Sequence, residues 1–243
     1  MIESKILEYK DFRSRWYNKW FKEYGIDPSD KLNRKYWEWA IVSEILDQKG
    51  FLKFGSLGLG FGVGKEPLAN KFSEMHCGIL ATDKLEKNCW RSTNQQADPE
   101  SFNPAVQFVE LDMTKIPVTL RGYDFCWSCC SMEHIGGLKA GEKFLFDSLD
   151  CLRKGGLAVH TTEYNINSNE RTVESKNLAF YRRKDLEEIQ NKLVRMGYIT
   201  QKLDYSKCIY PHILGPEEAK LRARVGSYVA TSAVLVIRKG EKQ

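Results

Sequence analysis

The hydrophobic pattern changes period once along the chain. In the first fifty positions Phe12, Trp16, Trp20, Phe21 and Tyr24 recur at helical spacing, Gly25 stops the run, and Asp27-Pro28 makes a turn. A second helical pattern runs from Tyr36 to Gln48 and ends at Gly50. An aromatic stripe of this kind reads first as core, and otherwise as a lid whose rings stack on a ligand. From residue 52 short apolar runs take over, at 53–59, 78–82, 106–111, 123–128, 156–161, 198–204 and 228–238, and these read as strands. Helical stretches at about 65–75, 85–93, 139–153 and 183–196 separate most of them. Strands alternating with helices predict an α/β fold with a mainly parallel, helix-covered sheet. The last two strands are joined by a longer stretch, 205–227, containing Pro211 and Pro216, so they are expected to pair antiparallel at the sheet edge. No internal repeat or linker interrupts the pattern. The predicted organisation is an N-terminal helical extension or lid over residues 1–50 and one domain over 51–243.

Composition narrows this only slightly. At 243 residues, 42% hydrophobic and 28% charged, the chain can bury a sizeable core without staples. A net charge of +5 permits nucleic-acid binding without demanding it. The basic runs, Arg182-Arg183-Lys184 and Lys220 to Arg224, read as solvated faces. Seven cysteines, no apolar h-region after Met1 and no apolar run of membrane-spanning length point to reduced thiols in a cytoplasm. Cys126 and Cys129 form a C-x-x-C, but it lacks a second pair and lies within a strand pattern.

The sharpest chemical feature is the turn Gly58-Leu-Gly60-Phe-Gly62-Val-Gly64, directly after an apolar strand. Glycines let the chain turn tightly into a helix and let a ligand approach the backbone. No frame supplies the dinucleotide spacing G-x-G-x-x-G, since the last glycine would fall on Val63, Lys65 or Pro67, and no G-K-[ST] follows. What remains is G-x-G-x-G. Asp83 ends the next strand, 21 residues after Gly62, where a carboxylate can accept from two ribose hydroxyls or merely cap the next helix. Asp112-Met113 follows strand 106–111, where the carboxylate can accept from an adenine amino group and the thioether can pack on its ring; a turn aspartate is the plainer reading. All three marks fall at the carboxyl ends of strands, where open α/β sheets bind ligands.

These residues resemble the class I S-adenosylmethionine-dependent methyltransferases. The likeness covers about 50 to 240 and rests on Gly60-Phe-Gly62-Val-Gly64, Asp83, Asp112-Met113, the strand Tyr123-Asp-Phe-Cys-Trp-Ser128 and Leu152-Arg-Lys-Gly-Gly-Leu157. It implies a Rossmann-like sheet of seven strands with the last antiparallel, and a cofactor site built from Gly60, Gly62, Gly64, Asp83, Asp112, Met113 and Ser128. The family often carries an acidic residue where this chain has Gly58, and Glu66 is a candidate to replace it. Met132-Glu-His134-Ile-Gly136 is similar to the segment after the fourth strand in small-molecule members. Glu66-Pro-Leu and His160-Thr-Thr-Glu-Tyr-Asn165 resemble a bacterial or viral subgroup associated with surface-glycan genes.

An alcohol acceptor needs a base or a metal to take its proton during transfer. His134, beyond the fourth strand, suits a base, with a capping histidine as the plainer reading. His160 and Glu163 end the fifth strand and, with Asn165, read as an active-site floor that could hold a base or a Mg²⁺ or Mn²⁺ ion. His212 is a weaker candidate, and the polar segment 164–180 reads as a substrate loop. The proline motif usual in enzymes that methylate bases in DNA is absent from Ser128-Cys-Cys-Ser131. The expected activity is O-methylation of a sugar or glycan hydroxyl. RNA or a small metabolite as acceptor, a non-catalytic cofactor-binding subunit and a homodimer stay open.

Overall fold

A computed structural model describes residues 1–85, 96–206 and 220–240. After a two-residue strand, β1 (Lys5–Ile6), come the helices α1 (Arg15–Glu23) and α2 (Arg34–Gln48). Ser14 caps α1 by accepting the amide of Tyr17, and Asn33 caps α2 by accepting that of Lys35. Gly25, at φ +62°, turns the chain out of α1 in a conformation other residues resist. Phe12, Trp20 and Phe21 of the aromatic stripe are buried in the core that α2 shares, with Trp16 and Tyr24 packed against it, so most of that stripe is core.

The rest alternates as the pattern predicts. β2 (Leu57–Phe61), α3 (Leu68–Glu74), β3 (Gly78–Asp83), β4 (Val106–Glu110), β5 (Tyr123–Cys129), α4 (Leu138–Asp150), β6 (Leu152–Asn165) and α5 (Arg183–Arg195) follow in order. They end in β7 (Ile199–Thr200), β8 (Ala223–Val225) and β9 (Tyr228–Arg238). The sheet order is β1-β9-β6-β5-β2-β3-β4. β4, β3, β2, β5 and β6 are mutually parallel, and β9 runs antiparallel to β6 from Leu157↔Arg238 to Asn165↔Ala230. The α/β fold with an antiparallel last strand therefore stands, with nine strands among the described residues instead of seven.

The two additional strands, β1 and β8, have two and three residues, too few to show a period in sequence. Both pair with β9, as does β7, which shrinks the expected strand 198–204 to two residues. β6 occupies one edge of β9, so these three short strands follow one another along its other edge and cover it. The first predicted strand begins later than expected, at Leu57, and the helix expected at 85–93 lies almost wholly outside the described residues, as does His212.

Helices pack on both sheet faces. Trp37, Ile41 and Ile45 of α2 share one core with Phe125, Trp127, Leu157 and Val159. Phe144, Leu145 and Leu149 of α4, with Leu186 and Ile189 of α5, share the other with Cys126 and Ala158. The alternation along β5 and β6 thus assigns odd-numbered residues to the α2 face and even-numbered ones to the α4 face. Among the described residues no helix is long and apolar enough to cross a membrane.

Candidate functional site

A cleft of about 500 Å³ opens on the α2 face at the carboxyl edge of the parallel strands. Its floor is the glycine turn, from Gly62 to Glu66, and the end of β5, Cys129 to Ser131. The first turns of α2 supply Arg34, Lys35 and Trp39. His134, Glu163, Phe180 and the β8 residues Ala223 and Val225 complete the wall.

The glycines divide by task. A Cβ on Gly58 would overlap the ring of Phe125, and one on Gly60 would stand 2.5 Å from the ring of Trp127. Both positions are empty so that β5 aromatics can lie against the turn. Gly62 and Gly64 have φ of +58° and +50°, the left-handed region that favours glycine. A Cβ on Gly62 would stand 2.9 Å from Ser131 Oγ and 3.0 Å from Met113 Sδ, so these groups form a tight cradle. Cys130 also adopts a left-handed conformation, φ +46°, held by its amide donating to the carbonyl and hydroxyl oxygens of Thr161. This bend carries Ser131 and His134 over the cleft.

Glu66 is buried beside the turn and accepts the Trp127 indole N–H at 2.6 Å. Burial pushes its carboxyl up to about 8, against the pull of hydrogen bonds from Trp127 and the Cys129 thiol. Asp83, 1% exposed, accepts the amides of Lys84 and Ala97 at 2.9 Å, one on each oxygen. Asp112 accepts both the amide and the hydroxyl of Thr114, and Lys84 Nζ lies 3.2 Å from its other oxygen. Partial burial opposes ionisation there, but those bonds outweigh it and hold the carboxyl below its usual range. Lys84 thereby ties the ends of β3 and β4 together.

Glu163 is ion-paired with Arg34, which also donates to Glu38 at 3.0 Å. Its neighbour Glu133 is fully buried, accepts from Thr162 on one oxygen and leaves the other without a partner among the described residues. Burial, then the charge of Glu163, pushes Glu133 up to about 8, so this acid is neutral near pH 7. His134 faces the carbonyl of Asn177 with Nδ1, at 2.9 Å. Nδ1 must donate there, which puts the ring's lone pair on Nε2.

His160 and Ser128 sit elsewhere. They are on even-numbered positions of β6 and β5 and face α4, with neither side chain exposed. Ser148 Oγ donates to the Leu145 carbonyl and accepts from His160 Nε2 at 3.1 Å, and Nδ1 then accepts from Ser128 Oγ at 2.8 Å. His160 and Glu163 are three residues apart in one strand, so they point to opposite faces and cannot share an ion or an acceptor. Asn165 is spent on Arg171 and Thr172. Among the described residues no group of three or more His, Cys, Asp or Glu is placed to hold a metal ion. Sequence reasoning missed Arg34, Lys35 and Trp39 altogether. The available signal was a pair of cations in the first turn of a helix with no acid there, an unfavourable arrangement for the helix dipole.

Burial without a charged partner pushes the His160 imidazole down to about 3. Above about pH 6.5 folded and unfolded chains both hold it neutral. Below that the unfolded chain takes up a proton that the folded one refuses, so stability falls as pH falls towards 3, by up to about 1.4 kcal/mol per pH unit. Denaturant titrations between about pH 6.5 and about pH 5 should show this slope, and His160→Gln should flatten it. An unchanged slope in the variant would move the titrating group elsewhere.

Residues 56–160 match a family model described as a methyltransferase domain. No curated protein sequence matches the chain. Among solved structures, an S-adenosylmethionine-dependent methyltransferase from Mesorhizobium loti is similar at 14% identity and a TM-score of 0.52, over 76% of this chain and 92% of that one. The magnesium protoporphyrin IX methyltransferase of Synechocystis, solved with bound S-adenosylhomocysteine, is similar at 12% identity and a TM-score of 0.54, over 94% and 96%. The [4+2]-cyclase SpnF is similar at 15% identity and a TM-score of 0.54, over 82% and 80%, so likeness at this level carries the fold and not the reaction. The residues present fit S-adenosylmethionine. The Gly62 cradle leaves room that any side chain would fill, and Asp83 stands at the end of β3, beside the turn that follows β2, where a carboxylate can take ribose hydroxyls. With the glycine turn and the strand-end carboxylates in register along one sheet edge, residues 56–160 carry a methyltransferase domain whose site fits S-adenosylmethionine.

Proposed function

We propose that this protein is a cytoplasmic O-methyltransferase that acts on a hydroxyl of a sugar or glycan. The observation that carries the reading is His134, whose Nδ1–H is committed to a carbonyl while the ring lines the cleft beside the glycine turn. Bound S-adenosylmethionine supplies an electrophilic methyl group on a sulfonium. In a complex with the acceptor, His134 Nε2 would take the hydroxyl proton, so that the oxygen could accept the methyl group that the sulfonium would give up in becoming a neutral thioether. Glu163 accepts from, and Arg34 donates to, further hydroxyls of the acceptor, a pairing that suits a group able to do both. Trp39 offers apolar surface for the C–H face of a sugar ring. Gly60, Gly62, Gly64, Glu66, Asp83, Asp112 and Met113 serve the cofactor in this reading, and Ser128 and His160 serve the packing of α4.

Nucleic acid is disfavoured as acceptor by one further observation. Arg182, Arg183 and Lys184 are paired with Asp185, Glu187 and Glu170, so the longest basic run on the described surface offers no open stripe for phosphates. The cytoplasmic placement rests on the thiols, since Cys77, Cys126, Cys129, Cys130 and Cys151 are all free.

Transfer of radiolabelled methyl from S-adenosylmethionine to a panel of deoxysugar glycosides, capsule or lipopolysaccharide fragments, RNA and small phenols tests the reading. Label is expected in a saccharide. Label confined to RNA or to phenols would overturn the acceptor class and leave the methyltransferase standing. A chelator arm in each reaction reads metal dependence separately.

A further inference from the structure

We propose that Trp127 is a positioning residue whose indole N–H holds the Glu66 carboxyl at the glycine turn, where that carboxylate takes the ammonium group of the methyl donor. The inference rests on S-adenosylmethionine as the cofactor. That molecule carries one ammonium, and a buried ammonium requires an anionic partner. Two carboxylates line the cleft among the described residues, Glu66 and Glu163. Glu163 is engaged by the Arg34 guanidinium. Among the described residues Glu66 has no cation in ion-pair contact, and it sits two residues past Gly64, 8% exposed.

The geometry around Glu66 is built. Trp127 is fully buried and donates to Glu66 Oε1 at 2.6 Å. Its ring is fixed edge-on by Phe72, with centroids 5.2 Å apart, and it fills the space that a side chain on Gly60 would take. The Phe125 ring closes Gly58 in the same way, so no acid can enter the strand two residues before Gly60. The carboxyl reaches the turn from its other end. Groups facing it are the Cys129 thiol on β5, Glu38 and Lys35 on α2, and Tyr24 at the end of α1. Burial and Glu38 favour the protonated acid, while Trp127, Cys129 and Lys35 favour the carboxylate, and the balance leaves Glu66 holding a proton near pH 7. An ammonium placed against it reverses that balance. The proton then leaves for solvent as the ligand binds, and the same step strengthens binding as pH rises towards 8.

Calorimetry of the full chain with S-adenosylhomocysteine, in two buffers of different ionisation enthalpy at about pH 6.5, reads this directly. The wild-type protein is expected to release close to one proton per ligand bound. Methylthioadenosine, which lacks the amino-acid end, is expected to bind with no release. Glu66→Gln should weaken S-adenosylhomocysteine about 10-fold or more and abolish the release, with methylthioadenosine unaffected. Trp127→Phe keeps the ring and removes the N–H. It should weaken S-adenosylhomocysteine severalfold and shift the pH at which binding strengthens upwards, a change that loss of packing would not produce. If that variant fails to fold, the two ligands on the wild-type protein still decide. Equal proton release with both ligands, or a wild-type release in Glu66→Gln, overturns the proposal. Failure of both ligands to bind would overturn the cofactor assignment, and the proposal with it.

Discussion

Replacing His134 with asparagine is expected to lower turnover about 10²- to 10⁴-fold while cofactor affinity stays within about twofold. The asparagine amide retains a donor for the Asn177 carbonyl, so the loop at 175–178 keeps its anchor, but it offers no basic nitrogen. An alanine variant loses both. If the ring acts as the base, the two variants should be equally slow. If it only anchors the loop, asparagine should restore most of the rate that alanine loses, and His134 would no longer be the base. Single-turnover methyl transfer with the acceptor found in the panel, beside calorimetry of cofactor binding, separates these outcomes.

Replacing Arg34 with methionine is expected to cost about 3–5 kcal/mol of stability at neutral pH. The guanidinium, 12% exposed, faces Glu163 and Glu38, and burial costs are offset by those carboxylates. Glu38 has no exposed surface; burial pushes its carboxyl up, but Lys35 and Arg34 pull it further down. Without Arg34, Glu163 loses its cation and Glu38 keeps only Lys35 at 3.2 Å. The Glu38 carboxyl, which Arg34 helps to hold down, then moves up towards the value of about 4.3 at which a glutamate of the unfolded chain titrates. The penalty is therefore largest well above that value and fades as pH falls through it, because protonated acids no longer need the cation. Denaturant titrations of both proteins at about pH 7 and about pH 4.5 should show the gap narrowing. A gap independent of pH would mean that Arg34 contributes through packing and not through charge.

The chemistry of the cofactor edge was legible in the chain because it is local. A glycine turn after an apolar run, and carboxylates at the ends of the next two runs, follow one another at steps of 21 and 29 residues from Gly62 to Asp83 to Asp112, each marked by its own strand end, and strand register carries them to one edge. The separation of His160 from Glu163 was also legible and was missed. Alternation puts residues three apart on opposite faces of a strand, whatever helices cover them. The polar run His160-Thr-Thr-Glu163 suggested a floor, yet half of it points into the α4 core. The short strands β1 and β8 were not legible, because two or three residues have no period and form only where β9 offers an unpaired edge, and β7 was legible as a strand but not in its length.

Sequence by itself determined the α/β order of elements, the glycine turn and the carboxylates of the cofactor edge, since each depends on residues close together in the chain. Only the tertiary structure decided what stands opposite them. Arg34 meets Glu163 across 129 residues, Trp127 meets Glu66 across 61, and His134 meets the Asn177 carbonyl across 43. Contacts at such separations follow from how α2 and the strands pack, and no spacing rule along the chain encodes them.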